Sequence, residues 1–520
     1  MTDTRPAQVH GISREAQSWL LLVLIVAVGT FLRFHLLGVR SLWTSECFSV
    51  LVAHQPFPQF LRTMWWGEGN MAFYYLLLRG WVLFGDSEAW LQGLSALFGV
   101  LTIPAVYELG KRFLDRNVGL VAAALLAVNS SHVGYSENVR CYSLWLLLTV
   151  LSTYCFLALL ESPQRKALWL LYILCAVLLI YTQVFGVFFL GAQWLAVAFR
   201  IRRLGIWKIL TTLVAIGILS VPMAIVILTQ NKGQLAWIPP VSLAGFWKVF
   251  RSIVGTDLLG AHDLPAIAIF TALYIVAWIA AIWGSFRPGS SRTGETDAGT
   301  VVTVLTWWLV FPLIAFTAIS FAKPILFPRY LSMCLPAAVL LAGQGLVTID
   351  RRVPRGRLVF SAALVVMTAL ALVGAQRFDS TLRMSGDDWR GVSNYILQHQ
   401  EPGDAVIFYP FRGNWTWDFY VARAREASVN AVAPTSLFPP SFDRVGIENS
   451  TAPYHRVWVV RQQDIPTPET DASNALLVRT MAEHFREIDK REFAGKSMFP
   501  GLDASIHLAL YSASSPGNSP

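Results

Sequence analysis

Residues 18–37 read SWLLLVLIVAVGTFLRFHLL, and no charge interrupts them before Arg33. A helix needs roughly 20 mostly apolar residues to cross the hydrocarbon of a bilayer. The run follows Arg5 and Arg14, is long for the core of a signal peptide, and has no small-x-small cleavage site behind it. It therefore reads as a retained signal anchor, with Arg33 reaching toward the outer interface. Further apolar runs lie at about 93–113, 117–132, 141–160, 167–183, 184–200, 207–228, 266–285, 301–321, 330–348 and 358–375. The expected fold is an α-helical polytopic membrane protein of about eleven transmembrane helices.

The loop charges test that count. With the N-terminus inside, the inner loops carry Lys111, Arg112 and Arg116, then Arg165 and Lys166, then Arg200, Arg202, Arg203 and Lys208. Arg287 and Arg292 follow, then Arg351, Arg352, Arg355 and Arg357. Every loop that must face the cytoplasm is basic, as the positive-inside rule requires. One span too many or too few would break the alternation midway. The same placement explains the net charge of +9 as topology and gives no support to a nucleic-acid partner. Hydrophobic residues make up 55% of the 520 and charged residues 14%, well below the ~25% of soluble domains.

Two outer loops are long. The first, about 39–92, holds Trp43, Trp65, Trp66, Trp81 and Trp90, which suits helices lying in the interface. The second runs from about Thr229 to Pro265. Past about Gly374 no further span appears, and the eleven-helix count puts the remainder outside. Helical patterns at Asp387–Gln400 and Ala475–Phe485 alternate with strand patterns at Asp404–Tyr409, Arg456–Arg461 and Ile506–Tyr511. The expected division is a membrane domain over 1–375, a small extracytoplasmic α/β domain over 376–512 and a disordered end over 513–520. Asp387 and Asp388 are candidates to cap the first tail helix, with Trp389 and Arg390 available to dock it. Five cysteines without CxxC spacing argue against a disulfide framework or a thiolate zinc site, although Cys47 and Cys141 share the outer face and could pair.

Charged groups at membrane level are costly and so mark candidate sites. The outer face collects Glu46 beside Ser45; Glu68 and Asn70; Glu137, Asn138 and Arg140; and Lys323, Arg329 and Tyr330. The cations suit the oxygens of a lipid phosphate, and a carboxylate suits a general base. The plainer readings are an interfacial carboxylate paired with Arg40 or Arg62 for Glu46, a helix cap for Glu68 and Asn70, and an i, i+3 pair for Glu137 with Arg140. No His and carboxylate spacing marks a dedicated metal site.

The order of these segments carries a resemblance. Arg33-Phe34, Ser41-Leu42-Trp43, Phe73-Tyr74-Tyr75-Leu76-Leu77-Leu78 and Phe84-Gly85-Asp86-Ser87-Glu88 follow one another. Phe98-Gly99-Val100-Leu101-Thr102-Ile103-Pro104, Arg140-Cys141-Tyr142-Ser143-Leu144, Arg329-Tyr330-Leu331 and Asp388-Trp389-Arg390-Gly391-Val392 continue the series. Over roughly 20–410 the chain resembles the polyprenyl-phosphate-sugar glycosyltransferases of the protein mannosyltransferase type, glycosyltransferase family 39 and its bacterial relatives, with a GT-C fold. The resemblance implies inverting transfer of a sugar from a polyprenyl phosphate to an acceptor (protein, lipid or glycan) on the outer face of a bacterial inner membrane. It implies Glu46, Glu68 and Glu137 as acid or base groups and Arg140, Arg329 and Lys323 as phosphate ligands, supported by Ser45, Asn70, Asn138 and Tyr330. No organic cofactor is implied; some relatives bind a divalent metal ion.

Three positions depart from the family wording. Ser45 stands where the family has Asp, Gly67 where bacterial relatives often have Arg, and Asn138 where Glu is expected. A serine is no general base at neutral pH. The alternative expectation is therefore a non-catalytic fold relative that binds lipid-linked sugar or a partner. A lipid-sugar transporter is a third reading, without the inverted repeats or paired broken helices such folds show.

Overall fold

A computed structural model describes residues 13–198, 205–230, 235, 238–256, 263–285, 297–383, 387–410, 412–427, 433–462, 468–495 and 505–513. The expected disordered end lies outside these residues from 514 onward. The chain folds into two compact units, Met1–His35 with Met64–Tyr74 and Ser95–Arg377, and Leu36–Thr63 with Tyr75–Leu94 and Phe378–Pro520.

The first unit is a bundle of apolar helices. In chain order they are α1 (Arg14–Phe34), α5 (Glu88–Phe113), α6 (Arg116–Val128), α7 (Ser130–Ser136), α8 (Tyr142–Glu161), α9 (Lys166–Thr182), α10 (Gly186–Ala196) and α11 (Ile206–Thr229). Then come α12 (Leu243–Val254), α13 (Leu264–Ser285), α14 (Ala298–Ser320), α15 (Pro328–Leu331), α16 (Leu335–Arg352) and α17 (Gly356–Arg383). Among the described residues eight helices are long and apolar enough to span a bilayer, and the bent pair α6 and α7 forms a ninth if counted as one span. The shorter apolar helices α9 and α10 lie where the remaining two spans were expected. The chain is a polytopic helical membrane protein. Helices suit this solvent because they satisfy their backbone hydrogen bonds internally.

Small residues let these helices approach closely. A Cβ added at Gly345 in α16 would sit 1.8 Å from the Ala277 carbonyl oxygen of α13 and 2.5 Å from its carbon. Backbone cannot move aside as a side chain does. Gly345→Ala is therefore expected to destabilise the bundle by about 1–3 kcal/mol. Thermal unfolding of the purified protein reads this, and an unchanged midpoint would contradict the close crossing.

The break between α6 and α7 bends the chain by 63° and is built from short polar side chains. Asn129 caps α7 by accepting from the His132 amide at 2.9 Å. Ser130 Oγ donates to the Gly255 carbonyl at 2.9 Å, and Ser131 bonds Ser252 at 3.2 Å, so the end of α12 docks on the break. Gly255, with φ of +86°, ends α12 in the left-handed conformation that glycine tolerates.

The second unit holds α2 (Thr44–His54), most of α3 (Phe57–Trp66) and α4 (Ala72–Trp81), and the C-terminal segment. That segment contains α18 (Trp389–His399), β1 (Ala405–Tyr409), α19 (Gly413–Ala427), β2 (Thr435–Leu437), α20 (Arg444–Thr451), β3 (Arg456–Gln462), α21 (Pro468–His484), β4 (Phe485–Phe493) and β5 (Ile506–Ala513). The strand order is β2-β1-β3-β5-β4. β1 is parallel to β2 and β3, and β5 is antiparallel to β3 and β4. Ile407, Val459 and Ala509 from the sheet pack with Leu477 and Met481 of α21.

The C-terminal segment and the first outer loop are packed together inside this unit. Asp388 caps α18 through the Gly391 amide at 2.9 Å. Arg390 pairs with Glu88 at 2.6 Å and donates to the carbonyls of Gly38 and Arg40 at 3.0 Å. Tyr420 on α19 accepts from the Leu42 amide at 3.0 Å. Trp81 and Trp90 stack at 4.4 Å and donate to one another's carbonyl oxygens at 2.7 and 3.1 Å. Trp65 and Trp66 are exposed.

Candidate active site

Within the membrane unit, three segments far apart in sequence converge. The first is Glu68, which precedes the tight turn Gly69–Met71. Asn70 ties that turn to the break between α9 and α10 by accepting from the Val184 amide at 3.1 Å. The second is the loop after α7, where Glu137 is buried and the Arg140 amide donates to the Asn138 carbonyl at 2.7 Å. Its carbonyl side is pinned too: Ser95 Oγ donates to the Arg140 carbonyl at 3.0 Å and bonds the Tyr74 hydroxyl at 2.8 Å.

The third segment is α15. Arg329 lies over the rings of Phe327 and Tyr330, at 5.1 and 5.4 Å, and Tyr330 packs edge-on against Phe185 at 4.9 Å. The Arg329 guanidinium is within hydrogen-bonding reach of the Tyr142 side chain and close enough to Arg140 for the two cations to repel. Glu68 acts electrostatically on Tyr330 and on Cys141. The cluster is thus Glu68, Arg140, Tyr142, Arg329 and Tyr330. Two guanidiniums in one cluster suit a phosphate, whose several acceptor oxygens match their planar forks. All five cysteines are thiols.

Behind the cluster lies a pair that sequence reasoning did not single out. Arg33, fully buried on α1, donates to the carbonyls of Gly29, Ala127 and Leu126 at 2.8, 2.9 and 3.2 Å. It also donates to His132 Nδ1 at 2.6 Å, which makes His132 a neutral imidazole with its proton on Nε2. Glu137 is within electrostatic reach of Arg33. Sequence alone suggested an Arg33 reaching for the interface; instead it closes the carbonyl end of α6, where the helix dipole favours a cation.

The other expected residues fall elsewhere. Lys323 is exposed in the turn after α14. Glu46, in the second unit, is fully buried and holds Arg40 through both carboxylate oxygens at 2.6 and 3.0 Å. Its Oε2 also accepts from the Trp43 amide at 2.9 Å, so it fixes the start of α2. The carbonyl of Ser45 accepts from Ser49 Oγ at 2.9 Å. In this geometry Glu46 is an enclosed carboxylate with both oxygens engaged. Among the described residues one group of three His and carboxylate ligands is close enough to share a metal ion, Glu448, Glu483 and His484. Arg444 bridges its two carboxylates at 2.7 and 2.8 Å.

A family model described as dolichyl-phosphate-mannose-protein mannosyltransferase matches residues 70–229. Undecaprenyl phosphate-alpha-4-amino-4-deoxy-L-arabinose arabinosyl transferase 1 of Pseudomonas fluorescens is 24% identical over 353 residues, covering 63% of this chain and 60% of that protein. The chain thus spans less than two thirds of the curated relative's length. ArnT from Cupriavidus metallidurans in the apo state superimposes with a TM-score of 0.56 at 15% identity, over 95% of this chain and 98% of that one. ArnT bound to undecaprenyl phosphate gives 0.54 over the same shares. The Archaeoglobus fulgidus oligosaccharyltransferase in complex with Zn and sulfate gives 0.53 at 13% identity, over 91% of this chain and 72% of that one. The chain is thus similar in sequence to the mannosyltransferase family model over residues 70–229, and it shares the fold of these solved membrane proteins over nearly its whole length.

Proposed function

We propose that this protein is a membrane glycosyltransferase that takes a sugar from a polyprenyl phosphate and passes it to an acceptor at the extracytoplasmic face, with inversion. The observation that carries the reading is the convergence of Arg140, Tyr142, Arg329, Tyr330 and Glu68, from three separate segments, within electrostatic range of one another. A protein of the same fold is known bound to undecaprenyl phosphate, whose phosphate is the kind of anion that guanidinium forks recognise. The basic inner loops put the N-terminus in the cytoplasm and the C-terminal domain outside, in what we take to be a bacterial inner membrane.

In the reaction the bond between the sugar's anomeric carbon and the phosphate oxygen breaks, and the electron pair leaves with the polyprenyl phosphate. The guanidiniums of Arg140 and Arg329 stabilise the charge growing on that oxygen. The acceptor oxygen forms the new bond to the anomeric carbon from the opposite face. Its proton goes to a carboxylate, for which Glu68 is better exposed than Glu46 or Glu137. Tyr142 orients Arg329, and Asn70 anchors the turn that carries Glu68.

Transfer of radiolabelled sugar from a polyprenyl phosphate by the purified protein in detergent tests the proposal. Turnover by the native chain is the expected result and removes the non-catalytic reading. No turnover in the native chain, with turnover appearing in Ser45→Asp, would instead mark a degenerate relative.

A further inference from the structure

The C-terminal domain contains a cavity of about 410 Å³ lined by Phe408, Asn414, Leu437, Phe438, Pro439, Pro440, Ser441 and Phe442. It lies past the carboxyl ends of the parallel strands β1 and β2, the usual place for ligands in open α/β sheets. Its volume is within the ~300–1,000 Å³ of small-molecule sites.

Asn414 is 9% exposed, and its Oδ1 has no hydrogen-bond partner among the described residues. A buried amide oxygen left unbonded is costly, because it has given up its water without a replacement donor. The cavity wall that carries it supplies that bond only when something donates into it. Among the described residues the lining bears no charged side chain, so an anion or a cation finds no counter-charge there. A purely apolar occupant leaves Asn414 as it is. A peptide would prefer the edge of β2, where backbone ladders form, but the cavity lies beyond that strand's end. What remains is a neutral molecule with apolar faces and hydroxyl edges. Phe438, 60% exposed, offers a ring face to the first, and the Asn414 amide with the Ser441 hydroxyl serves the second.

We propose that this pocket binds a neutral saccharide. The proposal is independent of the transferase reading, because it concerns binding in the C-terminal domain and not turnover. The test uses the full chain in phosphatidylcholine nanodiscs, since maltoside or glucoside detergents would compete. Saturation-transfer NMR and calorimetry would measure methyl hexosides, a methyl N-acetylhexosaminide and a neutral disaccharide, against inorganic phosphate and an N-acetylated Ser-Pro dipeptide amide. Saturable binding of a neutral saccharide is expected, weakened at least tenfold in Asn414→Leu and in Phe438→Ala. The exposed Phe438 makes the second variant informative even where the first fails to fold. No saccharide bound, equal binding in native and Phe438→Ala protein, or preference for phosphate or the dipeptide would each overturn the assignment. A chain that binds saccharide but transfers nothing fails only the transferase reading.

Discussion

Arg329→Ala and Arg140→Ala are each expected to lower kcat/KM for polyprenyl-phosphate sugar by about 10²- to 10³-fold, the loss seen when one preorganised donor to a developing oxyanion is removed. The two cations serve one group, so the double variant should lose less than the product of the single effects. Arg329→Lys keeps the charge but loses the planar fork and its contact with Tyr330, and should recover only part of the rate. Stability separates this role from a structural one. Both variants should keep folding, read as native helical circular dichroism and a monodisperse elution profile at the assay temperature, while transfer falls. A loss of activity that merely follows a loss of stability would count against phosphate binding. So would a change in kcat/KM below threefold in both single variants.

The second large effect concerns Glu46. Glu46→Ala leaves Arg40 charged and enclosed, and breaking a buried pair by removing one partner costs about 3–5 kcal/mol. Replacing both residues with apolar side chains of similar size should restore most of that loss, because the desolvation of both charges is then avoided. Thermal unfolding of Glu46→Ala and of Arg40→Met with Glu46→Leu measures the contrast. Glu46→Gln retaining native stability while losing all transfer would show that Glu46 reacts directly, against the geometry described above.

Much of the membrane architecture was legible because two independent signals, apolar length and loop charge, agree along the chain. α1, α5, α8, α11, α13 and α14 lie within a few residues of the runs read from hydropathy, whereas α17 continues eight residues past the expected run to Arg383. In the C-terminal domain β1, β3 and β5 were legible as apolar strands, whereas β4 was not. Its sequence, Phe485-Arg486-Glu487-Ile488-Asp489-Lys490-Arg491-Glu492-Phe493, is that of a charged edge strand, which protects against edge pairing but hides the strand from any apolar count. β2 has three residues and offers too short a pattern. For the site, Glu68, Arg140, Arg329 and Tyr330 were legible as charged or polar groups on one face. Tyr142 was not, because a tyrosine that opens an apolar helix looks like any interfacial aromatic. The packing of the first outer loop with α18 and α19 rests on contacts such as Arg390 with Glu88, separated by some three hundred residues, and no local pattern announces them.

The buried Arg33 has a consequence for how the protein is made. α1 is synthesised before α6 and enters the bilayer carrying a guanidinium, while the Leu126 and Ala127 carbonyls that receive it arrive much later. Until they meet, each helix is incomplete in lipid, where an unmet polar group cannot turn to water. Insertion order and helix recognition are therefore linked, and the first helix acts as a template that the sixth must find before the bundle can close.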